Sequence, residues 1–228
     1  MGKAWWSRCK RPDAPTLLPQ LRNFCIIAYM LTVAIQAGGE SSRMGQDKGL
    51  VSFLGQPLIT RVLNRIIPLA DEILVTTNTP EDYRFLSYSL FPDVFPGRGA
   101  LGGLYTALQA AHQPLVAVVA CDMPFASPDL LALARDRLVE ENLDAVIPRT
   151  EHGMEPFHAV YRRETCLPAV KTALEAGKWR LISWLPDVRV ATIEPQEMPR
   201  YDPAGLAFLN LNTPEELHHA ERLAEEMG

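Results

Sequence analysis

Two positive charges and a pair of glycines stand close together near the start of the sequence. Residues 31–49 (LTVAIQAGGESSRMGQDKG) begin with an apolar run, break into Gly38 and Gly39, and then present Arg43 and Lys48. Glycines let backbone N–H groups approach phosphate oxygens closely, and the two cations offset phosphate charge. The pattern favours a loop that binds a polyphosphate over the alternative, an ordinary turn after a buried strand.

The spacing of this loop excludes the two commonest nucleotide-binding motifs. A Walker A loop has four residues between its first glycine and its Gly-Lys pair. Here five residues separate Gly39 from Gly45, and Gln46 follows. The GxGxxG pattern is also excluded, because Gly38 and Gly39 are adjacent. Any phosphate loop in this chain is therefore of a different kind.

A carboxylate follows the most apolar segment of the chain. Residues 115–120 (LVAVVA) predict a strand at the centre of the sheet, and Asp122 comes shortly after it. A side chain at the carboxyl edge of a parallel sheet faces the ligand crevice, and Mg²⁺ prefers carboxylates together with phosphates. Asp122 is therefore a candidate magnesium ligand. Its alternative role is to cap a helix, although Ser127 is better placed for that.

Composition limits the class of protein. The chain has 228 residues, 47% of them hydrophobic, and a formal net charge of −5, which is consistent with one domain and argues against a general nucleic-acid binder. Its four cysteines are scattered without a CxxC pair, so a structural zinc site is not expected and a reducing cytoplasm fits. No segment is long enough to predict a membrane span.

The first residues resemble a signal peptide, because basic residues precede the apolar run 24–35. That run leads directly into the glycine loop, however, and cleavage after it would remove the strand that positions the loop. We therefore expect residues 1–29 to be an N-terminal tail, with Met30 as an alternative start, and residues 30–228 to form the folded domain.

Strand-like and helix-like segments alternate along the domain, which predicts a mostly parallel α/β sheet. The predicted strands are residues 31–37, 72–77, 115–120, 144–147, 157–161, 188–193 and 207–211. The predicted helices are residues 57–69, 81–86, 104–111, 128–140 (capped by Ser127), 164–176 and 181–185, and a last one that Thr213 caps. Residues 94–103 are predicted to form a second glycine-rich loop.

Several short motifs together resemble the GT-A-like nucleotidyltransferases, and within them the molybdenum cofactor guanylyltransferases. The opening motif is AGGxSxRMGxDK at residues 37–48, in which the Gly-Gly and Asp-Lys pairs indicate the subtype. Further matches follow in order: GQPLI at 55–59, GALGGL at 99–104, CDMPF at 121–125 and NLNTPEEL at 210–217. The resemblance covers about residues 30–227. It implies a three-layer α/β/α, Rossmann-like fold with a mostly parallel central sheet.

This resemblance implies an enzyme that transfers GMP from GTP to the terminal phosphate of molybdopterin, with Mg²⁺ as cofactor and pyrophosphate as product. It also implies molybdenum cofactor insertion proteins and molybdoenzyme chaperones as protein partners. Two alternatives stay open. One is a related nucleotidyltransferase that uses CTP on the same pterin or acts on a sugar or polyol phosphate. The other is a non-catalytic protein that binds the nucleotide and the pterin as a chaperone.

The resemblance also assigns the nucleotide site. Backbone groups at the end of the first strand and in the loop would hold the nucleotide; these are Gln36, Ala37, Gly38 and Gly39. Gln36 replaces the family's usual aliphatic residue, a change that should matter little if backbone atoms read the base. Lys48 and Arg43 would contact the phosphates and Asp122 the metal, although Arg43 could instead pair with Asp47.

The remaining assignments concern the base and the acceptor. Asp93 is expected to contact the base or the ribose, with Asn78 as a second candidate, and a turn aspartate is the alternative for Asp93. The residues expected on the acceptor side are Arg98, Gly102, Gly103 and Asn212. Asn212 could instead serve only the start of the last helix. His158 belongs to the half of the chain that would receive the pterin, but a structural role in the core explains it equally well.

Overall fold

The structure is a computed structural model that describes residues 29–37 and 47–227. The predicted tail and three of the predicted site residues (Gly38, Gly39 and Arg43) therefore lie outside the described residues, except for Tyr29 at the end of the tail. Within the described part, no helix is long and apolar enough to cross a membrane.

The strands and helices of the described residues alternate in the predicted manner. The strands are β1 (Leu31–Gln36), β2 (Ser52–Phe53), β3 (Gln56–Pro57), β4 (Glu72–Thr76), β5 (Ser89–Phe91), β6 (Leu115–Ala120), β7 (Ala145–Thr150), β8 (Gly153–Met154), β9 (His158–Arg162) and β10 (Val190–Ile193). The α-helices are α1 (Leu58–Ile66), α2 (Gly99–Ala110), α3 (Pro128–Glu140), α4 (Arg163–Glu175) and α5 (Pro214–Glu226). Single 3₁₀ turns cover Lys48–Leu50, Ile67–Leu69, Pro80–Tyr83, Leu185–Asp187 and Met198–Arg200.

Within the described residues the central sheet has eight strands: seven follow the order β10-β7-β9-β6-β1-β4-β5, and β8 pairs with β7 off this path. Strands β1, β4, β5 and β6 run parallel, as do β7 and β10, whereas β9 is antiparallel to both β6 and β7. The prediction of a mostly parallel sheet is thus confirmed. The short strands β2 and β3 pair separately as an antiparallel hairpin.

The two faces of the sheet are covered by different helices. Leu31, Val33 and Ile35 of β1 pack in one cluster with buried residues of α1 and α3, whereas Ala34 packs in a second cluster with residues of α2 and α4. This alternation along one strand is that of a sheet buried on both faces. The three-layer α/β/α architecture follows, and the sheet register aligns Gln36 with Thr76 and Ala120 at one edge.

Four predicted elements differ from the structure. Residues 81–86 do not form an α-helix, since only the 3₁₀ turn Pro80–Tyr83 is present there and turns follow it. Residues 207–211 do not form a strand: Ala207 and Leu211 are buried, but the backbone N–H of Ala207 is bound by the Asp202 carboxylate. Residues 181–184 form turns instead of a helix. Helix α2 begins at Gly99, inside the predicted second glycine loop, so three of the loop glycines (Gly99, Gly102 and Gly103) are helical.

Candidate active site

Lys48 lies on a single 3₁₀ turn that a short network holds in place. The Asp47 carboxylate caps the turn by accepting from the Gly49 N–H (3.0 Å), and it also accepts from the Tyr83 hydroxyl (2.6 Å). Tyr83 is fully buried, and burial together with the nearby Asp47 raises its pKa well above the usual range. Asp47 therefore supports the position of Lys48. The sequence interpretation had no signal for the part played by Tyr83.

The Lys48 ammonium joins two segments that are far apart in the sequence. Its Nζ lies 2.7 Å from Oδ2 of Asp122 and 2.6 Å from Oδ1 of Asn212. The side chains of Lys48 and Asp122 are 23% and 13% exposed, so the pair is largely but not completely shielded from solvent. One cation, one carboxylate and one amide thus converge at the carboxyl edge of the sheet.

Asp122 is fixed by the ends of two segments. The N–H of Cys121 donates to the carbonyl of Gln36 (3.1 Å), and the N–H of Leu211 donates to the carbonyl of Asp122 (3.1 Å). Ser127, and not Asp122, caps α3, since its Oγ accepts from the Leu130 N–H (3.2 Å). The capping alternative for Asp122 is therefore excluded.

One carboxylate oxygen of Asp122 has no use in the fold. Its Oδ1 is buried and has no hydrogen-bond partner among the described residues. In the same part of the chain, no group of three or more His, Cys, Asp or Glu side chains could hold a metal ion alone. Mg²⁺ is commonly bound by one or two carboxylates together with substrate phosphates and water. The orphaned oxygen fits a cation of that kind.

Asn212 is held at the start of α5 by a capping box. Oε2 of Glu216 accepts from the N–H groups of Asn212 (2.6 Å) and Thr213 (3.0 Å), and the Glu216 N–H donates to Oγ1 of Thr213 (3.2 Å). Thr213 and Glu216 therefore supply the helix-start chemistry. The side chain of Asn212 is left to contact Lys48.

The residues predicted for the nucleoside lie at the end of β1 or shortly after β1, β4 and β5. Nδ2 of Asn78 donates to Oδ2 of Asp93 (3.0 Å), and the Asp93 N–H donates to Oδ1 of Asn78 (3.3 Å), so these two residues pair with each other. The N–H of Ala37 donates to the carbonyl of Thr76 (2.8 Å). Gln36 is 8% exposed, and its Oε1 is buried without a hydrogen-bond partner in the described chain.

The predicted acceptor-side residues other than Asn212 lie at the start of α2. The guanidinium of Arg98 stacks 4.4 Å from the ring centroid of Trp179, a residue that the sequence interpretation did not single out. A side chain at Gly102 would lie 3.0 Å from the carbonyl oxygen of Phe95, and one at Gly103 would overlap the Gln36 carboxamide. Their acceptor role stays a prediction.

His158 has a structural environment. Its Nε2 accepts from the Ser127 N–H (2.9 Å), and its ring meets Phe208 edge-on with centroids 5.2 Å apart. Complete burial lowers its pKa to about 4, so the imidazole is neutral near pH 7. These contacts support the structural interpretation of this histidine.

The comparison with known proteins decides the family. Residues 33–190 match the model of the MobA-like NTP transferase domain. The chain belongs to this family. A probable molybdenum cofactor guanylyltransferase from Natronomonas pharaonis is 37% identical over 85% of this chain and 98% of its own length. A molybdenum cofactor guanylyltransferase from Desulfosudis oleivorans is 34% identical over 84% of this chain and 94% of its own.

Solved structures agree with this membership in the MobA-like family. The crystal structure of molybdopterin-guanine dinucleotide biosynthesis protein A from Archaeoglobus fulgidus superposes with a TM-score of 0.76 at 26% identity, covering 86% of this chain and all of that one. A cytidylyltransferase from Thermus thermophilus shares the fold alone, with a TM-score of 0.58 at 19% identity over 85% of this chain and 98% of its own. The chain is thus a nucleotidyltransferase, a class that generally uses a divalent metal ion with its nucleoside triphosphate.

Proposed function

We propose that this protein transfers GMP from GTP to the terminal phosphate of molybdopterin, with or without bound molybdenum, and releases pyrophosphate. The observation that carries the proposal is the contact of the Lys48 ammonium with Asp122 and Asn212 at the edge where β1 and β6 end. The names of the relatives, molybdenum cofactor guanylyltransferases over most of both chains, support this choice of substrates.

The reaction needs no side-chain base. The attacking group is a phosphate monoester whose second pKa is about 6, so most of it is already a dianion at neutral pH. In-line attack on the α-phosphorus of GTP then forms the new phosphoanhydride bond and releases pyrophosphate. The neutral, buried imidazole of His158 is consistent with this chemistry, because no proton has to be removed by the protein.

The difficulty of the reaction is electrostatic, since two polyanions must approach within bonding distance. Lys48 is positioned to neutralise phosphate charge as a flexible point charge, and its present partners can exchange for phosphate oxygens. Asp122 is the residue that would hold Mg²⁺, through the oxygen that the fold leaves without a partner. When bound, Mg²⁺ would neutralise phosphate charge and stabilise the departing pyrophosphate.

The test is pyrophosphate release by the purified full-length chain with molybdopterin, Mg²⁺ and one nucleotide at a time. We expect release with GTP and little with CTP or UTP. Release with CTP in place of GTP would support the cytidylyl alternative and overturn the proposal. Tight binding of GTP and pterin without any release would instead support the non-catalytic chaperone.

The setting of the reaction follows from the same proposal. We infer a cytoplasmic enzyme, because Cys121 and Cys166 are buried free thiols that fit a reducing compartment. The product would then pass to cofactor insertion proteins or molybdoenzyme chaperones. Co-purification of such proteins with the tagged full-length chain would test this part separately.

A further inference from the structure

Besides Oδ1 of Asp122, two buried polar atoms at the carboxyl edge of the sheet lack partners among the described residues. Oε1 of Gln36, at the end of β1, and Oγ1 of Thr76, at the end of β4, have no hydrogen-bond partner within the described residues. The two residues are aligned in the sheet register, and they are 8% and 1% exposed. Buried polar groups are nearly always hydrogen-bonded, so a ligand is the natural partner for such a pair.

The backbone groups around Gln36 already form hydrogen bonds with neighbouring segments of the sheet. The carbonyl of Gln36 accepts from the Cys121 N–H (3.1 Å), and the Ala37 N–H donates to the carbonyl of Thr76 (2.8 Å). These bonds hold the ends of β4, β1 and β6 together. The side-chain oxygen of Gln36 is therefore an acceptor at this position that the fold does not employ.

Gly103 leaves the space that the Gln36 carboxamide fills. A Cβ atom built at position 103 would overlap the carboxamide, so any side chain there would force it to move. The amide is thus confined between the end of β1 and helix α2. Since Oε1 is covered in the structure, contact with a ligand requires rotation about the terminal torsion of Gln36, which is soft for amide groups.

The strand order would bring Gln36 next to a nucleoside bound along this edge of the sheet. Strand β1 lies between β6, which precedes Asp122, and β4, which is followed by β5 and by the Asn78–Asp93 pair. A nucleotide with its phosphates at Lys48 and Asp122 and its base directed toward β4 and β5 would cross the end of β1. The side chain of Gln36 is the polar group that it would meet there.

We propose that the Gln36 carboxamide hydrogen-bonds the edge of the nucleotide base, and that this side chain, not only the backbone, contributes to base selection. A carboxamide offers one acceptor and one donor side by side. A 6-oxopurine offers the matching pair, its N1–H donor beside its O6 acceptor. The inference rests on the proposed function, because it assumes that a guanine nucleotide occupies this site.

The test is a two-by-two comparison of binding, measured by calorimetry with Mg²⁺ on the full chain. The nucleotides are GTP and 2-aminopurine riboside triphosphate, which lacks both N1–H and O6. The variant is Gln36→Leu, which introduces a shorter aliphatic side chain that neither donates nor accepts hydrogen bonds. We expect it to weaken GTP binding about tenfold and to leave binding of the analogue nearly unchanged. Equal losses for both nucleotides, or no loss for either, would overturn the inference.

Two further variants serve as controls for this comparison. Gln36→Met gives the same readout if the leucine variant does not fold, and Gln113→Leu makes the same chemical change at the opposite edge of the sheet, before β6. We expect Gln113→Leu to bind both nucleotides as the parent does. If the parent chain itself neither binds GTP nor releases pyrophosphate, the proposed function fails. If the parent chain transfers GMP but Gln36→Leu weakens the binding of both nucleotides equally, or of neither, only the role of Gln36 is refuted.

Discussion

Replacing Lys48 by methionine tests the candidate site directly, because methionine keeps most of the unbranched side chain but removes the charged ammonium group. In the native protein the ammonium contacts Asp122 at 2.7 Å and Asn212 at 2.6 Å. Its removal leaves the Asp122 carboxylate without a partner among the described side chains, in a position that is only 13% exposed. The variant should therefore lose stability and transfer activity for two different reasons.

The loss of stability can be bracketed from burial. Exposed ion pairs contribute about 0–1 kcal/mol, whereas breaking a buried pair costs about 3–5 kcal/mol. The Lys48–Asp122 pair, at 23% and 13% exposure, lies between these cases, so we expect about 2 kcal/mol. For a protein of this size that corresponds to a decrease in Tm of about 4–8 °C. Loss of a cation that stabilises phosphate charge should lower kcat/KM for GMP transfer about 100- to 1,000-fold.

Thermal melting and pyrophosphate release measure the two effects separately. The double variant Lys48→Met with Asp122→Asn should recover much of the Tm, since a neutral amide needs no cation, but it should not recover transfer. Lys171→Met is the matched control: its Nζ lies 3.7 Å from Glu175 in an exposed pair on α4, so both stability and activity should stay near the parent values. A folded Lys48→Met variant with transfer within about threefold of the parent would refute the role of Lys48.

Three other predictions follow from the structure. The unfolded chain binds a proton at His158 below about pH 6.5, whereas the native imidazole does so only near pH 4. The free energy of unfolding should therefore decrease by up to about 3 kcal/mol as the pH is lowered from 6.5 to 4. Thermal melts of His158→Gln across this pH range should lack this decrease. Glu216→Ala should break the capping box of α5, which lowers the free energy of unfolding by about 1 kcal/mol and raises KM for GTP. The control variant Glu215→Ala should change KM little, and steady-state kinetics measures both. Gly103→Ala should displace the Gln36 carboxamide and lower Tm, with recovery in the double variant Gly103→Ala/Gln36→Ala if this overlap is the cause.

Elements with strong local signals were predicted almost to the residue. Strand β6 has the predicted bounds because its six residues are all apolar and fit a strand buried on both faces. Helix α3 runs from Pro128 to Glu140 as predicted, because Ser127 caps it and proline suits the first helical position. In both cases the determining contacts lie within a few residues of each other.

Elements that depend on distant contacts were predicted wrongly. Residues 207–211 have the apolar content of a strand, and burial of Ala207 and Leu211 accounts for that content. Their backbone finds partners elsewhere, however, including the carboxylate of Asp202 and the carbonyl of Asp122. Helix α2 includes glycines that disfavour helices, because it packs so closely against β1 that a Cβ at Gly103 would overlap Gln36.

The sequence by itself determined the family, the mostly parallel sheet, and Lys48 and Asp122 as candidate site residues, because motif spacing and apolar periodicity are local properties of the chain. Only the tertiary structure decided that Asn212 contacts Lys48, that Tyr83 holds Asp47, and that Oε1 of Gln36 and Oδ1 of Asp122 have no partner among the described residues. Hydrogen bonds between residues far apart in the sequence, and the absence of such bonds at buried atoms, exist only once the ends of the strands are brought together.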